Sequence, residues 1–370
     1  MKRFFASIIM ISLLLTSLSG CKNKYKPRES TEEEARVVMT LNVGDSSYPV
    51  RYELYRAMFL TYKDEIDGGD DGVWESDTRG EYIAKMNERI VREAAKIYAT
   101  LEVCTRLGYD VYSRDFEKEI KEMIEVSVEG GTYGDEYYAG FDGDYDAYLD
   151  SLAAMHHNYS TMVLLLRYDV ARRRIEEHYI GESQIGEGGQ LTSGSIKYTR
   201  EDVERFYYSD SAAQVLLTYV PAEISYTPKE LAEDIRLDVI EAAQSGDEAV
   251  KIMMINRGTP TAVSELESGI LLGRYSLARE YGAIATAALN LSEGGVSEVI
   301  ETFSAMDGRR YYVVYRAGKS AEYFENNYAN VVEVYLYDAI GQILNAVEGE
   351  LVSGVKTTED YESIVHGDIE

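Results

Sequence analysis

The sequence predicts an α+β protein: a mostly helical first half, then a smaller mixed unit, then a closing helix. Three observations predict it. Residues 36–180 are dominated by stretches with apolar side chains every three or four positions. From Ala212 the pattern changes to strand, helices, strand, helix, strand, strand. Between the two lies GESQIGEGGQLTSGSIK (Gly181 to Lys197), rich in Gly and Ser and without periodicity, which reads as a linker.

The first twenty residues stand outside the fold. Lys2 and Arg3 form a charged start, and Phe4 to Leu15 form an apolar run too short to stop in a membrane. Leu18-Ser19-Gly20-Cys21 resembles the lipobox of bacterial lipoproteins. The resemblance implies cleavage before Cys21, lipidation of that residue and an extracytoplasmic protein anchored to the bacterial membrane. The alternative is an ordinary secretion signal followed by a chance cysteine. Each buried CH₂ of an acyl chain contributes about 0.8 kcal/mol to anchoring. No other segment is long and apolar enough to span. Residues 21–35 read as a tether, with Lys22, Lys24, Lys26 and Arg28 beside the anchor. That basic stretch suits an anionic leaflet surface or a plain solvated linker.

Losing Lys2 and Arg3 takes the formal charge from −28 to −30. So acidic a chain argues against nucleic acid as a partner and favours solubility, which suits contact with sticky clients. Roughly 350 residues after cleavage can bury a sizeable core and make two domains. With Cys21 lipidated, Cys104 has no intrachain partner and sits in a helical run with Ile97, Leu101 and Leu107, as a core thiol would. A disulfide framework and a cysteine-based metal site are excluded. The Asp-rich stretches Asp64 to Thr78 and Gly140 to Asp150 lack the residue order of a calcium loop and read as solvated turns. No cofactor is expected. There are 32 tyrosines against 8 Phe and 1 Trp. They either serve an adaptable binding surface or line core edges.

In the first half, Val37 to Val43 reads as a strand that Ser46 to Val50 can pair with, and Arg51 to Tyr62 as a helix with Leu54, Met58 and Tyr62 on one stripe. Glu81 to Leu107 keeps a 3.6-residue stripe through Ile83, Met86, Ile90, Ala94, Ile97 and Leu101. Gly108 ends it, Ser113 caps the next helix, and Phe116, Ile120 and Ile124 form that helix's stripe. One further long helix is expected from Tyr145 to Ile180. Leu107, Gly108, Tyr109, Val111, Ser113 and Phe116, after strand, strand, helix and long helix, resemble the N-terminal chaperone domain of the SurA/PrsA foldases.

The second half begins with YTREDVERFYY, capped by Thr199 with Asp202 at the third helical position, which resembles a segment of the same family. Ala212 to Val220 is an apolar strand. Thr227-Pro228-Lys229-Glu230 reads as a capping box with Pro at the first helical position, and Leu231, Ile235 and Val239 face the core. A shorter helix covers Asp247 to Ile255, and Gly269 and Gly273 bracket a short strand. A small-residue helix, Tyr281 to Leu291, leads through Ser292-Glu293-Gly294-Gly295 to two strands joined at Asp307-Gly308, a hairpin signal. In the last strand Tyr311, Val313 and Tyr315 share one face, and Tyr312, Val314 and Arg316 the other.

Gly269, Leu272, Gly273, Tyr275, Leu289, Leu291, Gly294, Val296, Ser297, Val299 to Phe303 and Tyr311 to Tyr315 resemble the second half of a parvulin, the peptidyl-prolyl isomerase family. The resemblance implies a four-stranded antiparallel sheet wrapped by helices. It divides the chain into a signal (1–20), tether (21–35), chaperone domain (36–180), linker (181–198), parvulin-like domain (199–317) and a C-terminal helix and tail (318–370) that packs on the N-terminal domain.

Parvulins carry two facing histidines and a Cys or Asp near the proline carbonyl. Here the histidine positions align with Gln214 and Tyr312, and His156, His157, His178 and His366 all lie outside the domain, as do both cysteines. Gln214 and Tyr312 can form a hydrogen-bonded pair across the sheet. The resemblance assigns substrate contact to Leu272, Tyr275, Ile284, Leu289 and Phe303. The leading expectation is a lipid-anchored foldase or holdase that takes unfolded, newly exported polypeptides in a crevice between its domains. The alternatives are an isomerase working through Gln214 and Tyr312, and an adaptor lipoprotein in an envelope complex.

Overall fold

The computed structural model describes residues 25–26, 28–133, 136–181, 194–221, 227–257, 269–275, 282–304 and 308–369. The signal segment, Cys21, most of the Gly/Ser linker and Asp307 lie outside the described residues. The chain divides into two compact units, Met1–Arg172 with Val347–Glu370, and Arg173–Ala346.

In the first unit, β1 (Val37–Val43) and β2 (Ser46–Arg51) form an antiparallel pair. Val38, Met39, Leu41 and Val43 bury their side chains, so the strand is held by its apolar positions. Helix α1 (Tyr52–Asp67) buries Leu54, Tyr55, Met58 and Phe59 on one stripe. It stops at Gly68, whose φ of +69° a side chain rarely tolerates. The stretch after it is not wholly solvated, as the sequence suggested. Asp67 is buried and accepts bonds from Trp74 Nε1 at 2.8 Å and the Gly69 amide at 2.7 Å.

Helix α2 (Arg79–Arg106) follows the predicted stripe, with Met86, Ile90, Ala94, Ile97, Leu101 and Cys104 all buried. Helix α3 (Arg114–Glu129) starts on Ser113, whose Oγ accepts the Phe116 amide. A small hairpin then appears that the sequence did not announce, β3 (Gly131–Tyr133) with β4 (Glu136–Tyr138).

The single helix expected over Tyr145 to Ile180 is two, α4 (Tyr145–Ala154) and α5 (Tyr159–Tyr179). The chain turns at His156, with φ +63°. Asn158 and Thr161 then cap the new helix reciprocally, each side-chain oxygen accepting the other's amide at 2.9 Å.

The tail returns to this unit. β9 (Lys356–Thr357) pairs with the free edge of β1, giving the order β2-β1-β9. Beyond it His366 is buried among the rings of Tyr55, Phe59 and Tyr361, with Nε2 2.9 Å from the Tyr55 hydroxyl. Burial, aided by Arg79, pushes its imidazole below the ordinary 6.5. The unfolded chain therefore takes up a proton first as pH falls. The stabilising contribution is full above pH 6.5 and is lost as pH falls through the folded-state value. Thermal melts should show a fall in Tm on acidification from about pH 7 to pH 5, and His366→Phe should flatten that slope.

The second unit is built on the expected four-stranded antiparallel sheet, whose order is β6-β5-β8-β7. Its strands are β5 (Ala212–Pro221), β6 (Ile270–Gly273), β7 (Ile300–Ser304) and β8 (Gly308–Arg316). Before them comes α6 (Arg200–Tyr208), closed by the Thr199–Asp202 capping box. Alternation along β5 and β8 makes two cores. Leu216, Val220, Tyr311, Val313 and Tyr315 meet α7 (Pro228–Ala243) and α8 (Asp247–Asn256) through Ala232, Ile235, Val239, Val250 and Met254. Ala213, Val215, Leu217, Tyr312 and Val314 meet α9 (Gly282–Asn290) through Ile284, Ala285 and Ala288.

Three local expectations are corrected. Thr227 is the N-cap of α7 and Pro228 its first residue, but no side-chain cap bond forms. Ser304 pairs with Gly308, so three residues separate the paired ends of the β7–β8 hairpin where a two-residue Asp307-Gly308 turn was expected. The C-terminal helix is broken at Asn327 into α10 (Ala321–Asn326) and α11 (Tyr328–Ser353).

As far as Ala346, these helices belong to the second unit. Within it they fit closely at the end of β6. Asp338 Oδ1 accepts the Tyr275 amide at 3.2 Å, and a Cβ added to Gly341 would stand 2.0 Å from Tyr275 Cβ. Gly341→Ala should therefore cost about 1–3 kcal/mol by overpacking, read as a lower denaturant midpoint. Among the described residues no helix is long and apolar enough to cross a membrane.

Candidate functional site

The central strands set the geometry. In the β5–β8 register Tyr219 stands opposite Tyr312, and Ile300 of β7 stands on the other side of Tyr312. The Tyr219 and Tyr312 rings lie 5.2 Å apart and 38° from parallel. The Arg310 guanidinium sits 4.6 Å over the Tyr219 ring, and its Nη1 donates to the Tyr312 hydroxyl at 3.4 Å. Arg310 and Tyr312 share a face because they are two apart on one strand. Beneath them lie Leu272, Ile284, Ala285 and Val314, all buried, with Leu289 and Ile300 partly so. Two phenols and a guanidinium over an apolar floor offer stacking and hydrogen bonding. They supply no imidazole, thiol or carboxylate.

Gln214 does not join this group. It shares the opposite face with Leu216 and Val220, and it precedes the residue facing Tyr312 by five positions. At about 3.3 Å per residue that is on the order of 17 Å along the strand. The expected cross-sheet pair of Gln214 with Tyr312 is therefore not made. The Tyr207 hydroxyl lies 2.8 Å from Gln214 Oε1 and 3.1 Å from the Ser320 carbonyl, with one proton to share, and it accepts the Ser320 amide at 3.0 Å. Burial pushes the Tyr207 phenol up to about 12, so it stays protonated and able to donate. Gln214 thus ties α6 and the start of α10 to β5.

The residues expected to contact substrate separate into three groups. Leu272, Ile284 and Leu289 gather with Tyr312 in one cluster. Leu272 and Ile284 are 4% and 0% exposed and Tyr312 is 2% exposed, so little of these side chains reaches solvent. Tyr275 is carried away to α11, where Asn345 Nδ2 donates to its hydroxyl at 3.4 Å. Phe303 lies on β7 opposite Arg309, and its side chain lies outside the described residues. Tyr219 and Arg310 were not singled out from the sequence. Parity was the available signal, because Tyr219 alternates with Val215 and Leu217, the residues that share the Tyr312 face.

A second polar group lies in the first unit. Glu53, at the start of α1, is buried and accepts Ser30 Oγ at 2.5 Å, Asn158 Nδ2 at 2.8 Å and Ser160 Oγ at 2.7 Å, with Arg51 at 3.8 Å. A cavity of about 220 Å³ opens beside it, lined by Arg28, Glu34, Arg56, His156 and Tyr159 among others. Three donors and a helix start satisfy this carboxylate, so it joins the tether, α1 and α5. Glu53→Ala would strand the three donors and should cost about 1–3 kcal/mol, read by chemical denaturation. Among the described residues no cluster of three or more His, Cys, Asp or Glu is arranged to hold a metal ion.

No family model matches the chain, and no curated protein matches it. Among solved structures the chain is similar to the foldase protein PrsA from Lactococcus lactis, at 15% identity over 90% of this chain and 99% of that one, with a TM-score of 0.23. It is also similar to the foldase protein PrsA from Streptococcus pneumoniae, at 11% identity over 87% of this chain and 96% of that one, with a TM-score of 0.24. The fold described above stands on its own strand order and register and not on these scores.

Proposed function

We propose that the protein is a lipid-anchored extracytoplasmic chaperone of the foldase type, which binds unfolded exported polypeptides without efficient prolyl isomerisation. One observation carries the reading. The resemblance calls for facing histidines at Gln214 and Tyr312; here Gln214 bonds to Tyr207, and Tyr312 packs in the core beside the tilted ring of Tyr219. The amide barrier is about 18–20 kcal/mol, and lowering it needs a pocket that holds the twisted amide better than the planar one. Tyr312, 2% exposed, offers a bound proline little open surface. The lipobox supports the anchor, and the acidic charge supports a carrier that stays soluble beside sticky clients.

Two assays on the full chain test this. Light scattering of a chemically unfolded client diluted into equimolar protein should be suppressed. A protease-coupled prolyl peptide assay should show no acceleration above the uncatalysed rate. Acceleration abolished by Tyr219→Ala would overturn the non-catalytic reading. Absence of suppression would overturn the chaperone reading. Mass spectrometry of the mature N-terminus, with Cys21→Ser as control, tests the anchor separately.

A further inference from the structure

On the solvent side of α7 and α8 four aliphatic side chains are left uncovered. Leu237 and Ile240 on α7 are 55% and 37% exposed, and Ile252 and Ile255 on α8 are 53% and 39% exposed. Each helix repeats the same design. The core residues are Ile235 and Val239 on α7 and Val250 and Met254 on α8. Leu237 and Ile252 each follow a core residue by two positions, about 200° round the helix, and therefore point away from the sheet. Asp238 of α7 is ion-paired with Arg257 just beyond α8, which sets the far end of α8 level with the middle of α7. The turn Gln244-Ser245-Gly246 joins their near ends. The two helices thus run side by side in opposite directions, and the four side chains fall on one outer face.

Along α7 that face carries a stripe of carboxylates. Glu230, Asp234, Leu237 and Glu241 follow one another at i, i+4, i+7 and i+11, so three carboxylates share the Leu237 stripe. None of the three has an ion-pair partner among the described residues, whereas nearby bases are engaged. Arg236 pairs with Glu233 and Glu298, Lys251 with Glu248 and Arg257 with Asp238. Lys229 lies off the stripe, about 100° from Glu230 round the helix.

The geometry points to α7 and α8 as a docking surface for an unfolded polypeptide segment in which apolar residues alternate with lysine or arginine. Charge complementarity selects this occupant. A second copy would bring the same carboxylates face to face, and an anionic leaflet would repel them. The apolar side chains would take the client's apolar residues, and the stripe of carboxylates its bases. The occupant rests on the client-binding reading above. The surface itself does not depend on whether the sheet catalyses isomerisation.

The test is fluorescence anisotropy of the full chain with short labelled peptides, one alternating leucine with lysine and one alternating leucine with glutamate. The leucine–lysine peptide should bind more tightly by on the order of tenfold. Adding salt should shrink the difference. The double variant Leu237→Ser with Ile252→Ser, both exposed and so compatible with an unchanged melt, should weaken that binding by on the order of tenfold. Glu230→Gln with Asp234→Asn and Glu241→Gln should erase the preference and leave a weaker, salt-insensitive binding. Equal affinity for both peptides, or unchanged binding by the double variant, overturns the proposal. So does a dimer in sedimentation, or binding to phosphatidylglycerol vesicles, that the double variant abolishes. Suppression of aggregation that survives the double variant would sink this surface alone. Loss of suppression in the unaltered chain would sink the client reading with it.

Discussion

Truncating the chain after Gly354 should destabilise the first unit by about 3–5 kcal/mol. The figure follows from what the last residues bring. Ile364 and Ile369 are buried, each contributing about 1.5–3 kcal/mol. The Thr358 amide donates to the Val38 carbonyl at 3.0 Å and its Oγ1 to the Val37 carbonyl at 2.6 Å, each bond adding about 1 kcal/mol. Ordering the tail offsets part of this gain. Truncation also bares the edge of β1 and uncovers Tyr55 and Phe59, which His366 now covers. A domain stable by about 5–15 kcal/mol would lose a large share of its margin. Denaturant unfolding should show a lower midpoint for this unit, and limited proteolysis should cut it first while the sheet unit survives. A midpoint equal to that of the intact chain would mean that the tail is an ornament on a unit already complete.

How far the sequence foretells this molecule depends on whether one face of an element differs from the other. Helix α2 was legible because its stripe from Met86 to Leu101 has polar residues opposite it. The caps at Ser113 and Thr199 were legible because each is a local pattern with a local partner. The faces of β8 were legible from parity, and the four-stranded antiparallel sheet from the parvulin resemblance. The β5 register was not. AAQVLLTYV is apolar on both faces, so alternation could not say which face meets α7 and which meets α9. Gln214 and Tyr312 do not meet because β5 gives its first residues to β6 and its last to β8. The break between α4 and α5 was hidden for a related reason. Asn158 and Thr161 act as a cap only when the chain has already left the helix, and apolar residues lie on both sides of the break. The tail position of His366 depends on contacts more than three hundred residues apart, which no local pattern encodes.

Substituting Tyr312 separates a packed scaffold from a working site. Tyr312→Ala should cost about 3–5 kcal/mol, the range for emptying a buried aromatic position. The ring is 2% exposed, sits between Tyr219 and Ile300 in the strand register, and packs with Leu272, Ile284 and Val314. Tyr312→Phe keeps that volume. It removes the hydroxyl, and with it the 3.4 Å bond from Arg310, and should cost clearly less than Tyr312→Ala. The same pair of variants reads function. If the hydroxyl took part in twisting a prolyl amide, Phe would lose activity while holding stability. If the ring is a wall of the core, Phe should match the parent in both chaperone and prolyl assays, and Ala should fail through unfolding. Melts run beside the assays distinguish the two. A stable Tyr312→Phe that no longer accelerates a reaction the parent accelerates would restore catalysis to this sheet. Equal behaviour leaves the paired rings of Tyr219 and Tyr312 as core filling.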